Sequence, residues 1–365
     1  MGLFMSFIMS FIITYINVGF VENFISIWTK AWGIAFACAF PIIVVVAPIV
    51  HKIVHKLIKK ILLFLFPIFL IFIGFEIFYR FVPNDYSVKY ATIPKKYNTT
   101  EVLIFGNSHT FYGLNPQYIS KPTYNMAQIS QTIYFDKILF DKYIDKFKKI
   151  QCVILHIEYT SLSEIVETKE NSWRKYYYQS YMNLDVPSIK KYDFTKYFLS
   201  STKNFNANTK LLLKYLKEKT ITNCDKNGFG INYTKEKKTP ILKNTALTRV
   251  KNIEDNLIDF KDNIDRIQSM INVCKKRKIK VILLNMPVTN YFSEGVNQIK
   301  LKKIQNTCKI IAKKNDNVSY LNLFKDKRFS NEDFYDADHL HSDGATKCTK
   351  IVNYYINQIF KKNRK

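Results

Sequence analysis

The sequence predicts an α/β protein: a parallel sheet flanked by helices, preceded by three transmembrane helices. Three observations carry this. The first 82 residues are almost all apolar, and the remainder is mixed and polar. From residue 83 onward, short apolar runs alternate with stretches of helical apolar spacing, the pattern of a parallel sheet covered on both faces. A serine directly follows the first of those runs, and an Asp-x-x-His stands just before the last predicted helix.

Residues 3–20, 31–50 and 61–81 are each apolar and long enough to span a hydrocarbon core of about 30 Å. Between the second and third lies His51-Lys52-Ile53-Val54-His55-Lys56-Leu57-Ile58-Lys59-Lys60, the densest positive cluster near any of them. Such clusters stay in the cytoplasm. The short, nearly balanced loop at 21–30 suits the outside, so the N-terminus is expected inside and everything after residue 82 outside. Lys59-Lys60 before an apolar run also has the look of a signal-peptide start. No small-residue cleavage site follows in Phe81-Val82-Pro83-Asn84, so an uncleaved anchor is expected. Glu76 and Arg80, four apart near its outer end, are spaced to pair.

Residues 102–105 and 152–157 read as buried strands, and 281–284 and 318–323 as further strands. Apolar spacing predicts helices over 130–149, 251–277, 297–314 and 343–360. Residues 160–247 break the alternation. They are rich in Tyr, Lys and Asn, include Trp173-Arg174-Lys175-Tyr176-Tyr177-Tyr178, and read as an inserted cap. Its aromatic residues fit ordinary packing or a sugar-stacking platform. The expected division is a two-helix membrane domain at 1–59, a third membrane anchor at 60–82, and the α/β domain at 83–365.

The formal charge is +26. Lys, Asn, Ile, Tyr and Phe are abundant together, and the lysines are spread over many helix faces with no Arg-rich stripe. That is a solvated basic surface, with attraction to anionic lipid or an acidic envelope polymer the next reading. Nucleic acid is excluded as a partner, because it needs the α/β domain on the cytoplasmic side. Cys38 lies in a membrane stretch, and the other five cysteines form no C-x-x-C pair. No nucleotide, flavin or metal motif is present, so no cofactor and no metal are expected.

Two motifs carry chemistry. Val102-Leu103-Ile104-Phe105-Gly106-Asn107-Ser108-His109 puts Ser108 on a turn at the carboxyl end of a strand, where α/β sheets place their sites. Asp333-Phe334-Tyr335-Asp336-Ala337-Asp338-His339-Leu340 supplies a carboxylate and an imidazole three apart. A nucleophile, a base and a group that orients the base are what serine acyl transfer requires. Asp338 and His341 repeat the Asp-x-x-His spacing in an overlapping register; Leu340 and Gly344 favour His339. His341 then shapes a pocket rim or does nothing, and His109 packs or caps the helix.

These stretches resemble the SGNH (GDSL-like) hydrolase superfamily, in its membrane-anchored bacterial envelope branch of teichoic-acid D-alanylation factors and polysaccharide O-acetyltransferases. The likeness covers roughly residues 100–360 without the cap. Gly106-Asn107-Ser108-His109 and Tyr112-Gly113-Leu114-Asn115-Pro116 stand for the nucleophile block, and Tyr124-Asn125-Met126-Ala127 with Ser130-Gln131 for the second. Asp336-Ala337-Asp338-His339 with Gly344-Ala345 stands for the last. The resemblance implies Ser108 as nucleophile, His339 as base and Asp336 as its partner. The oxyanion would take the Ser108 N–H and an N–H of the second block, where this chain has Ala127 for the usual Gly; Asn107 and Asn125 would line or position the pocket. The family's Gly-x-Asn-Asp block is not recognisable; its place falls to His156-Ile157-Glu158-Tyr159 or to Asn285. Separately, the first 59 residues resemble a family of small bacterial two-helix membrane proteins of unknown function. Phe4-Met5-Ser6-Phe7-Ile8-Met9-Ser10, Ile16-Asn17-Val18-Gly19-Phe20, Lys30-Ala31-Trp32 and Ala39-Phe40-Pro41 through Ala47-Pro48 carry that likeness.

The resemblance implies an extracytoplasmic enzyme of the bacterial cytoplasmic membrane, an O-acyltransferase or esterase. Its partners would be an acyl donor and an envelope glycan acceptor. The other reading is an inert scaffold that binds an envelope polymer or a membrane-bound acyltransferase.

Overall fold

A computed structural model describes residues 2–164, 172–240 and 243–362; part of the expected cap, 165–171 and 241–242, lies outside them. The chain divides into two compact units, Met1–Gly74 and Phe75–Lys365.

In the first unit, α1 (Gly2–Val18) turns at Gly19, whose φ is +67°, into α2 (Phe24–Phe81). Phe7 meets Trp28 and Phe11 meets Phe24 edge to face, with ring centroids 4.5 and 5.3 Å apart. Three transmembrane helices were expected, and the structure differs. α2 is one continuous 58-residue helix through the second and third apolar stretches and the cluster between them. It is the one helix among the described residues long and apolar enough to cross a membrane, and α1 is shorter. The physical reason lies in the cluster itself. Lys, Leu, Ile and His are compatible with a helix interior, and charge alone does not end a helix.

The last turns of α2 belong to the second unit. Phe75, Phe78 and Tyr79 are buried in the second unit. The Tyr79 hydroxyl donates to Asn208 Oδ1 at 2.8 Å, and the Tyr181 hydroxyl donates to the Tyr79 carbonyl at 2.6 Å. Glu76 and Arg80 do pair, at 2.8 Å, and each also holds the insertion: Glu76 accepts from the Ser200 N–H and Arg80 donates to the Tyr197 carbonyl.

The second unit runs α3 (Asp85–Lys96), β1 (Val102–Phe105), α4 (Ser108–Gly113), β2 (Thr123–Asn125), α5 (Ile133–Tyr143), β3 (Cys152–His156), α6 (Arg174–Met182), α7 (Phe205–Glu218), α8 (Lys243–Ile253), α9 (Lys261–Lys276), β4 (Lys280–Asn285), α10 (Asn290–Gly295), α11 (Gln298–Lys314), β5 (Val318–Asn322) and α12 (Ser342–Lys362). The five strands form one parallel sheet in the order β2-β1-β3-β4-β5. Alternation along each strand sorts the core into two layers. Leu103, Phe105, Val153, Leu155, Val281 and Leu283 pack with Phe140, Ile271 and Ile304 of α5, α9 and α11. Val102, Ile104, Cys152, Ile154, Ile282 and Leu284 pack with Cys348, Val352 and Ile356 of α12. Helices therefore cover both faces, and the order reverses between β1 and β3. A crevice for ligands opens at the carboxyl ends of strands flanking such a reversal.

The helix expected over 251–277 is broken. Asn256 sits at φ +53°, and the carboxylates of Glu254 and Asp255 accept the N–H groups of Asn256 and Leu257. Both carboxylates also meet the ammonium of Lys300, a fully buried side chain on α11. A distant buried cation thus outcompetes the local helical pattern. The Trp173–Tyr178 aromatics are packing: Tyr178 is buried, stacks on Phe135 at 4.2 Å and donates to Gln131 Oε1.

Candidate active site

β1 ends at Phe105, and Gly106 turns the chain with φ +135°. A Cβ there would stand 2.5 Å from the His156 Cβ and 2.7 Å from Thr110 Oγ1, so the turn requires glycine. Asn107 caps α4, its Oδ1 accepting the His109 N–H at 3.1 Å. Ser108 is then the first helical residue, and its N–H has no helical acceptor.

The terminal block is a tight loop closed by an antiparallel bridge between Phe334 and Leu340. Inside it, Asp336 Oδ1 accepts the N–H groups of Asp338 at 3.1 Å and His339 at 2.8 Å, a side-chain turn that fixes the carboxylate. The same carboxylate holds the His339 ring, whose Nδ1 lies 3.0 and 3.1 Å from its two oxygens. The far nitrogen, Nε2, stands 2.8 Å from Ser108 Oγ. The structure therefore brings together Ser108 and His339, 231 residues apart, with Asp336 behind the imidazole. In neutral His339 the Nδ1–H donates to Asp336, and the Nε2 lone pair faces the hydroxyl.

Aromatic rings wall the imidazole. Tyr112, Tyr233 and Tyr335 form a parallel stack, with centroids 3.7 and 3.9 Å apart, and Tyr233 meets His339 edge-on at 5.5 Å. On another side lies the His109 ring, 4.6 Å away. Burial disfavours the His339 cation, but Asp338 and Asp336 outweigh it and raise its pKa to about 10.

Behind His339 is a network that the motifs did not reveal. Asp338 is buried, with Oδ1 3.4 Å from His339 Nδ1, and its Oδ2 accepts from Arg249 Nε at 3.1 Å and lies 3.5 Å from His109 Nε2. The same His109 nitrogen is 3.1 Å from Glu158 Oε2. Burial pushes the Asp338 carboxyl up, but His339 and His109 hold it well below the usual range. His156 Nδ1 meets the Leu284 carbonyl at 3.0 Å, and its Nε2 has no partner among the described residues. Burial, then His109, lowers the His156 pKa to about 4. A cavity of about 30 Å³ lies between His109, His156, Glu158, Arg249, Met286 and Asp338, room for one water. The donor trios His109/His156/Glu158 and His109/Asp338/His339 each bring ligand atoms within 4.8 Å and are the residues that could hold a divalent cation.

The other expected residues have different duties. His341 caps α12: its Nδ1 accepts the Asp343 N–H at 3.1 Å, and Nε2 bonds the Glu332 carbonyl. Asn125 is buried, donating to the Thr110 and Leu114 carbonyls. Its Oδ1 takes the Ala127 N–H at 3.0 Å, so Ala127 does not offer the free donor expected of it. Asn285, donating to the Ile157 carbonyl and accepting from the Tyr320 hydroxyl, ties strand ends together. Asn107 is a cap. Gln128, whose N–H bonds the Gly106 carbonyl at 3.2 Å, has a buried amide nitrogen with no partner among the described residues.

Fold and site together define an α/β protein with a Ser–His–Asp arrangement at the carboxyl ends of a parallel sheet. Compared with known proteins, residues 1–58 match the model of a domain of unknown function (DUF2798), in line with the expected resemblance of this segment to a family of unknown function. That match does not reach the α/β unit. No curated protein matches the chain. Among solved structures, it is similar to one described as a "putative platelet activating factor" from Streptococcus pneumonia. Identity is 13%, with 74% of this chain and 90% of that one covered and a TM-score of 0.38. A superposition that loose says nothing of chemistry.

Proposed function

We propose that this chain is a membrane-anchored serine acyl-transfer enzyme of the SGNH type, an O-acyltransferase or esterase acting on a cell-envelope polysaccharide. The observation that carries the reading is the hydrogen-bonded line from Ser108 Oγ through His339 to Asp336, at 2.8 and 3.0 Å. Those distances are what a hydroxyl nucleophile and its base need.

Ser108 Oγ attacks an acyl carbonyl while His339 Nε2 takes the hydroxyl proton. Asp336 holds the resulting imidazolium. The Ser108 N–H, at the start of α4, is the donor offered to the oxyanion. Collapse expels the donor's leaving group, which takes the proton from His339, and leaves an acyl ester on Ser108. Water or a glycan hydroxyl, deprotonated by His339, then attacks that ester and Ser108 recovers its proton. The envelope polymer as substrate rests on the family resemblance. For the anchor, the His51–Lys60 cluster stays on the cytoplasmic side and the apolar helix that follows it crosses, which exports the α/β unit.

An inert binding scaffold is favoured by one observation, the Ala127 N–H already spent on Asn125. A fluorophosphonate probe separates the two. The full-length protein is labelled beside Ser108→Ala and His339→Ala, and the modified residue is mapped. Labelling at Ser108 that both substitutions abolish supports the enzyme; folded wild-type protein that takes no label sinks it.

A further inference from the structure

We propose that residues 190–205 form a foot that lies in the headgroup layer of an anionic lipid bilayer. The segment is the Lys-and-aromatic part of the insertion, and it presents large rings to the outside. Tyr192 is 80% exposed, Phe194 70%, Tyr197 57% and Phe205 64%. Soluble surfaces rarely gather so many large apolar side chains in one short stretch without a partner.

The partner is fixed by where the stretch is held. Arg80 donates to the Tyr197 carbonyl at 2.8 Å, Glu76 accepts the Ser200 N–H at 3.0 Å, and Phe75 meets the Phe205 ring at 5.8 Å. All three anchors sit on the last two turns of α2. A hydrocarbon core of about 30 Å takes roughly 20 helical residues. Counted along the apolar run 61–81, the helix leaves the core beside this segment. Tyr and Phe at that depth are in the aromatic belt of a membrane protein, apolar body inward and polar edge in the headgroups.

Charge points to anionic lipid. Lys190, Lys191 and Lys196 stand against the one carboxylate of Asp193, which the Tyr176 hydroxyl already occupies at 2.7 Å, while Lys203 packs over the Trp173 ring at 4.0 Å. Lys191 and Lys196 lie over the rings of Tyr192 and Tyr197, 5.9 and 5.0 Å from their centroids, so each ring brings a cation with it to the surface. Two 3-10 turns, Phe194–Tyr197 and Leu199–Thr202, pair part of the backbone internally, which suits a poorly hydrated layer.

The inference rests on α2 crossing the bilayer and is independent of the serine chemistry. Its test uses the full chain in phosphatidylglycerol nanodiscs with Cys38→Ser, since Cys38 is the exposed cysteine. The thiols of Cys152, Cys224, Cys274 and Cys308 are buried and pushed up to about 12, and Cys348 is buried too, so all five stay unlabelled. Spin labels go on Phe194→Cys and Tyr197→Cys, with Tyr354→Cys on α12 (67% exposed) as the water control and Phe69→Cys as the helix control. The expected result is higher oxygen and lower nickel-chelate accessibility at 194 and 197 than at 354, with shallower immersion in phosphatidylcholine. Labels at 194 and 197 that match 354 while 69 lies in lipid would overturn the foot and leave the patch to a protein partner. A water-exposed label at 69 would overturn the crossing and the foot together. Equal immersion in both lipids would overturn the anionic preference.

Discussion

Asp338 Oδ1 stands 3.4 Å from His339 Nδ1, the nitrogen that Asp336 holds at 3.0 Å. Two carboxylates thus converge on one side of a single imidazole whose other side faces Ser108. Asp336 is bonded to its own loop and sets the ring orientation. Asp338 is buried, tied to Arg249 and His109, and acts on His339 chiefly as a charge.

That arrangement predicts a pH dependence. His339 must be neutral to take the Ser108 proton, and its pKa is raised to about 10 because the pull of Asp338 and Asp336 exceeds the penalty of burial. The labelling rate of Ser108 should therefore climb as pH rises through the neutral range into the alkaline. Asp338→Asn removes one of the two charges that raise the pKa, so the midpoint should move to lower pH. A profile whose midpoint stays put in Asp338→Asn would show that Asp336 alone sets the titration.

Gly106→Ala should be among the most damaging small substitutions in the chain. It adds a methyl 2.5 Å from the His156 Cβ at a backbone φ of +135°. Strain of this kind costs on the order of 1–3 kcal/mol before any repacking. Because the turn sets Ser108 at the head of α4, the labelling rate should fall together with the denaturation midpoint. Unchanged values of both would mean that the turn relaxes freely.

Asp136 predicts a second pH effect, on stability. Its Oδ1 accepts from the Gly106 N–H at 3.1 Å and from Gln131 Nε2 at 2.6 Å, but burial outweighs both bonds and raises its pKa from 3.8 to about 7. A carboxyl raised in the folded state favours folding in its protonated form, so this contribution is present below about pH 4 and is lost as pH rises to about 7. Both bonds fall on one oxygen, and an amide keeps them. Asp136→Asn should therefore gain stability relative to wild type across that window, at most about 1.4 kcal/mol per pH unit. Denaturant titrations at pH 4 and pH 8 check it; an equal difference at both would rule out the buried charge as the cause.

What was legible in the sequence follows from how local each feature is. β1 and the middles of β3 and β4 are unbroken apolar runs because both faces of the sheet are covered there, whereas the edge strand β5 carries Ser319 and is only partly buried, and β2 is three residues, Thr123–Asn125, too short for a pattern. Ser108, Asp336 and His339 sit in short motifs shaped by their own turns. Arg249, Asp136 and Lys89 carry no such mark. Lys89 is buried 36 residues before the Asn125 carbonyl it donates to, and Arg249 reaches Asp338 across 89 residues. The helix over 251–277 failed for the same reason, since Lys300, 45 residues beyond Asp255, decides the fate of its first turn.

The two overlapping Asp-x-x-His registers predict opposite phenotypes. His339 bonds Ser108 Oγ, so His339→Ala should abolish labelling of Ser108 while the far-ultraviolet dichroism of the protein is retained. His341 instead takes the Asp343 and Gly344 N–H groups at the start of α12, 3.1 and 3.4 Å away, and bonds the Glu332 carbonyl. Losing a helix cap costs about 1–2 kcal/mol. This first turn of α12 has little room to adjust, because Gly344 lies so close to the Asp333 carbonyl that an added Cβ would stand 2.0 Å from its oxygen. His341→Ala should accordingly lower the denaturation midpoint and leave the labelling rate per folded molecule within about twofold of wild type, since the loss is structural. If His341→Ala instead silenced Ser108 while the protein stayed folded, the base would have to be assigned to the second register, with Asp338 as its partner.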